Sequence, residues 1–324
     1  MMRGRARWAR LAPWLVTVGC FWYLYARLEA AAAGQGQRLG PYLAAAFAHV
    51  AWWRWLLLMI PYCVLFVLVD SLVVWRVIRW FNAPLRYRDV VPVRVSGYIL
   101  SIVNEQVSKG AIALYLSRRH AVPAWEVASS MLFIMLCEYL SLLGWATLGV
   151  LLQWRRVPAV FHAIPAIAVV SAVAFTLLYL FFRGRLGRRL AARDRPIVHT
   201  FRRARLGHYA GVVVLRAPAM LAAIVVYALA LRVFGVQASM LEMLGYLPVI
   251  FFGAAMPGPM HSVAVVLWVI LFPDRPAEMT AFGFVQHNFF VLFNAALGLL
   301  FLRRATRELS APAASPSTGA PSSR

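Results

Sequence analysis

The chain has 324 residues, 62% of them hydrophobic and only 14% charged, against roughly 25% charged in soluble domains, so a soluble globular domain is excluded. A formal charge of +22 would point to nucleic acid in a soluble protein, but here the arginines stand at the ends of apolar runs. Loops on the cytoplasmic side of membrane proteins carry arginine in that way, and the partner implied is anionic lipid, with no nucleic acid.

Taken in chain order, MMRGRARWAR leads into an apolar run from Leu11 to Leu28. A signal peptide has that pattern, but the length of the run and its bulky FWYLY end favour an uncleaved first helix. A second span covers about 53–75, opened by Trp52, Trp53 and Trp55, which read as an interfacial belt. It returns to Arg76, Arg79, Arg86, Arg88 and Arg94. Residues 95–117 then place the polar NEQVSK between two apolar arms, closed by Arg118 and Arg119. A third span covers about 124–152 and a fourth 160–182, followed by RGRLGRRLAARDRPIVHTFRRARLGH with nine arginines against one aspartate. A fifth covers about 209–233. Residues 243–272 are broken by MPGPMH, and a last span runs from about 279 to 302. Residues 1–309 thus read as one integral-membrane domain and 310–324 as a disordered cytoplasmic tail. Cys20, Cys63 and Cys137 all lie inside apolar runs, which argues against a disulfide framework or a metal site.

The distribution of arginine decides how 95–117 and 243–272 sit. If both crossed fully, Arg118, Arg119 and the nine-arginine loop would fall on opposite sides from their neighbours. If both dip in and return, every large cluster is cytoplasmic, and only Arg155 and Arg156 stand outside. Arms of about 10–14 residues make roughly 15–21 Å of helix, which reaches the middle of the bilayer. The expected fold is therefore an all-α polytopic membrane protein. It has about six transmembrane helices and two oppositely oriented re-entrant hairpins in an inverted-repeat-like order.

Three acids fall within these elements, Asp70, Glu105 and Glu138, and a charge at that depth needs a partner or a task. Asp70 reads as an interfacial ion pair with Arg76. Glu138 lies near the centre of its span, within reach of Lys109 or an arginine. Glu105 and Lys109, the only lysine in the chain, stand four apart and can also pair with each other. Half-helix ends at a re-entrant tip expose backbone groups, and beside Lys109 they suit a phosphate or carboxylate. Asn104, Gln106 and Ser108 add neutral hydrogen-bonding groups. At the opposite tip Pro257, Gly258 and Pro259 break the helix, followed by His261. In the last span His287 and Asn288, with Gln286 and Asn294, suggest a cavity wall.

Asn104 with Gly110, LYLSRRHAVP leading to Glu138, and LPVIFFGAAMPGP with Pro248, Pro257 and Gly258 resemble the flippase-like integral-membrane domain of lysylphosphatidylglycerol synthases. The resemblance covers roughly residues 50–305. Gly110 is followed by Ala111 where the family has a Gly-Glu pair, and Glu138 by Tyr139 where a Glu-Arg pair is common. PMHSVAVV replaces the expected glycine-rich stretch and acid. These departures indicate a divergent, stand-alone member without the soluble synthase domain.

What the resemblance implies is a bacterial inner-membrane protein that moves a phospholipid between leaflets, with no enzyme activity and no cofactor. In that reading Asn104, Glu105, Gln106, Ser108, Lys109, Glu138, His261, His287 and Asn288 contact an anionic headgroup near the midplane. The Met256–His261 break then forms a gate. Two other classes stay open: an accessory scaffold among envelope-biosynthesis proteins, and a membrane-embedded lipid-phosphate transferase. Metal-dependent transferases cluster acids for Mg²⁺, which the three scattered acids here do not.

Overall fold

The computed structural model describes residues 2–101, 110, 112–113, 116–117, 122–184, 195–254 and 262–310. Every regular element among them is helical. The helices are α1 (Met2–Gly34), α2 (Leu39–Ala48), α3 (Trp52–Phe81), α4 (Tyr87–Ser101) and α5 (Ala124–Leu152). A 3₁₀ turn at Ala159–Ala163 runs into α6 (Ile164–Phe182), and another at Pro196–Val198 into α7 (His199–Arg203). There follow α8 (Leu206–Val233), α9 (Met240–Ala254), α10 (Ser262–Leu271) and α11 (Pro276–Ser310). The polar NEQVSK tip and the MPGPMH break both lie outside the described residues, and with them Asn104, Glu105, Gln106, Ser108, Lys109, Pro257, Gly258, Pro259 and His261.

Five helical stretches are long and apolar enough to cross a membrane: Trp52–Phe81, Ala124–Leu152, Ala159–Phe182, Leu206–Val233 and Pro276–Arg304. They match spans two to six of the expected set. The first apolar run lies on α1, a continuous helix of 33 residues that is not among the five. Two boundaries differ from expectation. The second span continues beyond 75 to Phe81, and the helix expected from 95 begins at Tyr87. Prolines inside helices, Pro61 in α3, Pro92 in α4, Pro218 in α8 and Pro248 in α9, are tolerated because neighbouring helices can satisfy the freed carbonyls.

The ends of the helices meet in two groups. At one end Ser130 of α5 donates to the Asn82 side chain just after α3, at 2.6 Å, and lies 2.8 Å from the Thr200 hydroxyl of α7. Arg203 adds a bond to the Phe81 carbonyl at 3.4 Å. The C-terminal end of α3, the N-terminal end of α5 and the arginine-rich connection before α8 therefore share one side. At the other end, the start of α3, the end of α8 and the turn before α11 surround a common pocket.

Packing relates the two halves. Helix α3 lies against α8, α4 against α11, and α9 against α5; exchanging α3, α4 and α5 with α8, α9 and α11 leaves these pairings unchanged. Two large apolar clusters follow from them. One, around Trp55, Met59, Leu231, Trp268 and Phe282, fills the end where α3 begins. The other, around Ile78, Phe81, Phe133 and Tyr209, fills the end where α3 stops. Trp55, read from sequence as an interfacial residue, is only 2% exposed and packs edge-on against Phe289 at 4.7 Å. It sits two positions, or about 200° of turn, beyond the exposed Trp53, which places the two on opposite faces of α3.

Two of these three cross-half pairings rely on glycine. A methyl group at Gly149 of α5 would lie 2.2 Å from the Cα of Gly245 in α9. A methyl group at Gly298 of α11 would meet the Val95 carbonyl of α4 at 2.8 Å. Small residues let helix backbones approach closely where no hydrophobic drive separates helix from lipid. We expect Gly149→Ala to lower stability by about 1–3 kcal/mol through overpacking. Gly144→Ala on the same helix, where nothing stands within 4 Å, is expected to be neutral or stabilising by up to about 1 kcal/mol. Thermal unfolding in detergent measures both, and equal melting temperatures for the two variants would remove the close contact.

Candidate functional site

Between the two apolar clusters lies a cavity of about 330 Å³ that carries the buried charges of the bundle. Its walls come from α3, α4, α5, α8, α9 and α11. The space is large enough for several waters, and a polar headgroup fits it.

The charges form one connected group. Asp70 of α3 takes a hydrogen bond from Arg94 Nε at 2.6 Å and one from the Tyr98 hydroxyl at 2.5 Å, both on the same oxygen, Oδ2. Arg94 and Tyr98 stand one turn apart on α4, and the guanidinium also lies over the Tyr98 ring at 4.6 Å. Arg216 of α8 donates from Nη2 to Glu138 Oε1 of α5 at 2.6 Å. Its other terminal nitrogen, Nη1, lies 3.8 Å from Asp70 Oδ1, which is ion-pair range but too long for a hydrogen bond. Two guanidiniums and two carboxylates thus join four helices, and their formal charges cancel.

The two halves of this group differ in access. The Asp70 and Arg94 side chains are 8% and 4% exposed, whereas those of Arg216 and Glu138 are 15% and 31% exposed. Glu138 is equally far from both ends of α5 and lines the cavity. The Asp70–Arg94–Tyr98 group is closed and fastens α4 to α3. The Arg216–Glu138 pair is the part that a molecule in the cavity can reach.

Helix α11 supplies the remaining polar wall. His287 is buried and faces the cavity, and its Nε2 accepts the Trp268 indole N–H at 3.4 Å. Asn294 also lines the cavity, 2% exposed, with its Oδ1 meeting no donor. Asn288 does not join them: its amide donates to the Phe284 carbonyl of its own helix at 2.7 Å. One residue past His287 on a helix is about 100° round, enough to move it off the wall.

Three expectations from sequence need correction. Asp70 pairs with Arg94 and Arg216, not with Arg76, whose guanidinium lies over the rings of Trp75 and Trp80. Arg94 belongs to no surface cluster, because α4 starts at Tyr87 and carries it about two turns inward. Arg216 had no place in the sequence reading, although an arginine inside GVVVLRAPAM is an intramembrane charge that calls for a partner. Glu138 and His287 both line the cavity. No family model, curated protein or solved structure matches the chain, so the site is interpreted from its own geometry.

Removing one member of a buried ion pair leaves the other charge uncompensated, at about 3–5 kcal/mol. Asp70→Asn takes from Arg94 its 2.6 Å carboxylate partner and from Arg216 the second of its two carboxylates, and is expected to lose stability on that scale, with a matching fall in melting temperature. Glu138→Gln opens onto the cavity and is expected to lose clearly less. Equal losses in the two variants would mean that Asp70 is not the anchor.

Proposed function

We propose that the chain is a flippase-like protein of the bacterial inner membrane that binds an anionic phospholipid headgroup in the charged cavity and carries it between leaflets. The observation that carries this reading is the partly exposed Arg216–Glu138 pair at mid-span, lining a cavity of headgroup size. A purely structural ion pair would gain most from being sealed, as Asp70–Arg94 is. Arginine is the side chain best matched to phosphate, through its planar fork of donors.

The proposed architecture has α1 as a sixth span, with both termini cytoplasmic. Residues 82–123 and 240–271 form two re-entrant pairs of opposite orientation. Three features support it: each pair begins and ends on one side of the bundle, the contacts survive exchange of the halves, and glycine mediates the two contacts related by that exchange, α4–α11 and α9–α5. Lys109 and its neighbours Asn104, Glu105, Gln106 and Ser108 would then meet the headgroup from the first tip. His261 and the Pro257–Gly258–Pro259 break would face it from the second. The sequence resemblance to the membrane domain of lysylphosphatidylglycerol synthases points to the same activity.

Native mass spectrometry of the gently extracted protein tests the reading. One anionic phospholipid is expected to be retained by the wild type, and its occupancy to fall at least about tenfold in Lys109→Ala and in Arg216→Gln. A charge-assisted hydrogen bond is worth about 1.5–3 kcal/mol, and tenfold is 1.4. Lipid occupancy unchanged in both variants would remove the headgroup site. The absence of any retained lipid would favour an accessory scaffold.

A further inference from the structure

A second, larger pocket lies at the opposite end of the bundle from the arginine-rich connection, and no part of the proposed transport site reaches it. It has a volume of about 1010 Å³ and is walled by the α1–α2 link, the end of α2, the first turn of α3, the end of α8 and the turn before α11. Helix α8 ends there because Gly235 takes φ +76 and Val236 bonds back to the Leu231 carbonyl at 3.0 Å, a glycine-stopped helix end. Arg232 is thereby left at the rim. The floor includes Tyr42, buried against Leu28, Ala32 and Ala277. Burial and the nearby Glu278 carboxylate raise its phenol above the usual range, so it stays a neutral hydroxyl.

The polar groups of this pocket are not balanced among themselves. Among the described residues, only Arg275 of its three guanidiniums has a carboxylate, Glu278 at 3.4 Å. Arg54 has only a ring contact with Trp53 at 5.2 Å, and Arg232 forms no ion pair among the described residues. Both are exposed to the pocket and solvent. Gln37 and His49 add further hydrogen-bonding groups, and Asp274 adds an acceptor for hydroxyls. Two unpaired guanidiniums in one concavity match a phosphate, each able to offer two parallel N–H donors. The amide, imidazole and carboxylate around them match hydroxyl groups on the same molecule.

We infer that this pocket is a second binding site, for a hydroxylated phosphate ester such as a glycerophosphate, held by Arg54 and Arg232. Arg54 and Arg232 each stand sixteen residues from a member of the buried charge group, Asp70 and Arg216 respectively. At 1.5 Å per residue the two sites are about 24 Å apart along both helices. The apolar cluster of Trp55, Met59 and Leu231 lies between them. The outer pocket is thus a separate station, and its occupancy does not depend on the reading of the inner cavity. The same phosphate ester can come free in solution or as the head of a membrane lipid.

The experiment uses the full chain in nanodiscs of a zwitterionic lipid, with melting temperature as the readout. Glycerol 1-phosphate is titrated in one arm, and phosphatidylglycerol is added to the discs in the other. The wild type is expected to be stabilised, and Arg54→Gln/Arg232→Gln to need at least about tenfold more ligand. Arg155→Gln, at an exposed arginine that lines neither pocket, is expected to respond like the wild type. Stabilisation by the soluble ester supports a free ligand; stabilisation by the lipid alone supports a headgroup site. No stabilisation in either arm would overturn the inference. So would a response kept by the double variant, or one lost equally with Arg155→Gln, which would assign it to surface charge alone. Should the double variant melt early without ligand, Arg54→Lys/Arg232→Lys keeps the charges and is expected to bind more weakly than wild type but measurably.

Discussion

The bundle depends on the Asp70 carboxylate lying between two guanidiniums. A lone charge at mid-span costs at least about 2.5–3.5 kcal/mol on insertion scales, so four charges there are tolerable only as a group. Asp70 makes the group possible because its two oxygens serve different partners, Arg94 through Oδ2 and Arg216 through Oδ1. Through those contacts α3 holds α4 directly, and holds α5 through Arg216 and Glu138. An apolar core in lipid offers little preference for one helix pairing over another, since the surroundings are equally apolar. Charge pairing and glycine contacts supply what hydrophobicity cannot. The α4 helix is tied by ions to α3 and by Gly298 to α11, and α9 by Gly245 to α5.

Polarity is distributed along the bundle in a definite order. The arginine-rich end is followed by an apolar cluster, then the charged cavity, a second apolar cluster and the outer pocket. The second cluster is dense, with Trp55, Met59, Leu231, Met243, Leu247, Trp268 and Phe282 all at 2% exposure or less. Packing of that density has few intermediate arrangements, so a passage from cavity to outer pocket would require helices to move as units. The glycine contacts between α5 and α9, and between α4 and α11, are the surfaces on which such movement would slide.

The spans were legible because a run of about twenty apolar residues has few other uses, and the five found here lie within a few residues of their expected places. The partners of the charges were not. Sequence proximity made Arg76 the natural counter-ion of Asp70, six residues on in the same helix, while the actual partners are 24 and 146 positions away. In a chain so rich in arginine, Arg94 looked like one more topology signal, and Arg216 drew no reading at all. Their depth could be known only once α4 was seen to begin at Tyr87 and α8 at Leu206. The same limit applied to Trp55 and Asn288. Each belongs to a local group whose members share a composition but not a helix face.

Neutrality of the charge group bears on how a phosphate could enter. Among the described residues the two guanidiniums are already matched by two carboxylates, so an arriving anion meets no net positive charge. Asp70 cannot yield its place, being sealed and bonded to both Arg94 and Tyr98. Glu138 can, because its side chain is the most exposed of the four and shares one hydrogen bond with Arg216. In the proposed cycle the phosphate takes the position of the Glu138 carboxylate on Arg216, while Asp70 holds the guanidinium from the other side. Glu138 must then be neutralised, by a proton or by a cation, since two anions on one guanidinium at mid-span repel strongly in a medium of low dielectric. The internal carboxylate would act as the stand-in that keeps Arg216 satisfied between substrates. Binding of an anionic headgroup would on these terms be linked to uptake of a positive charge at the same place.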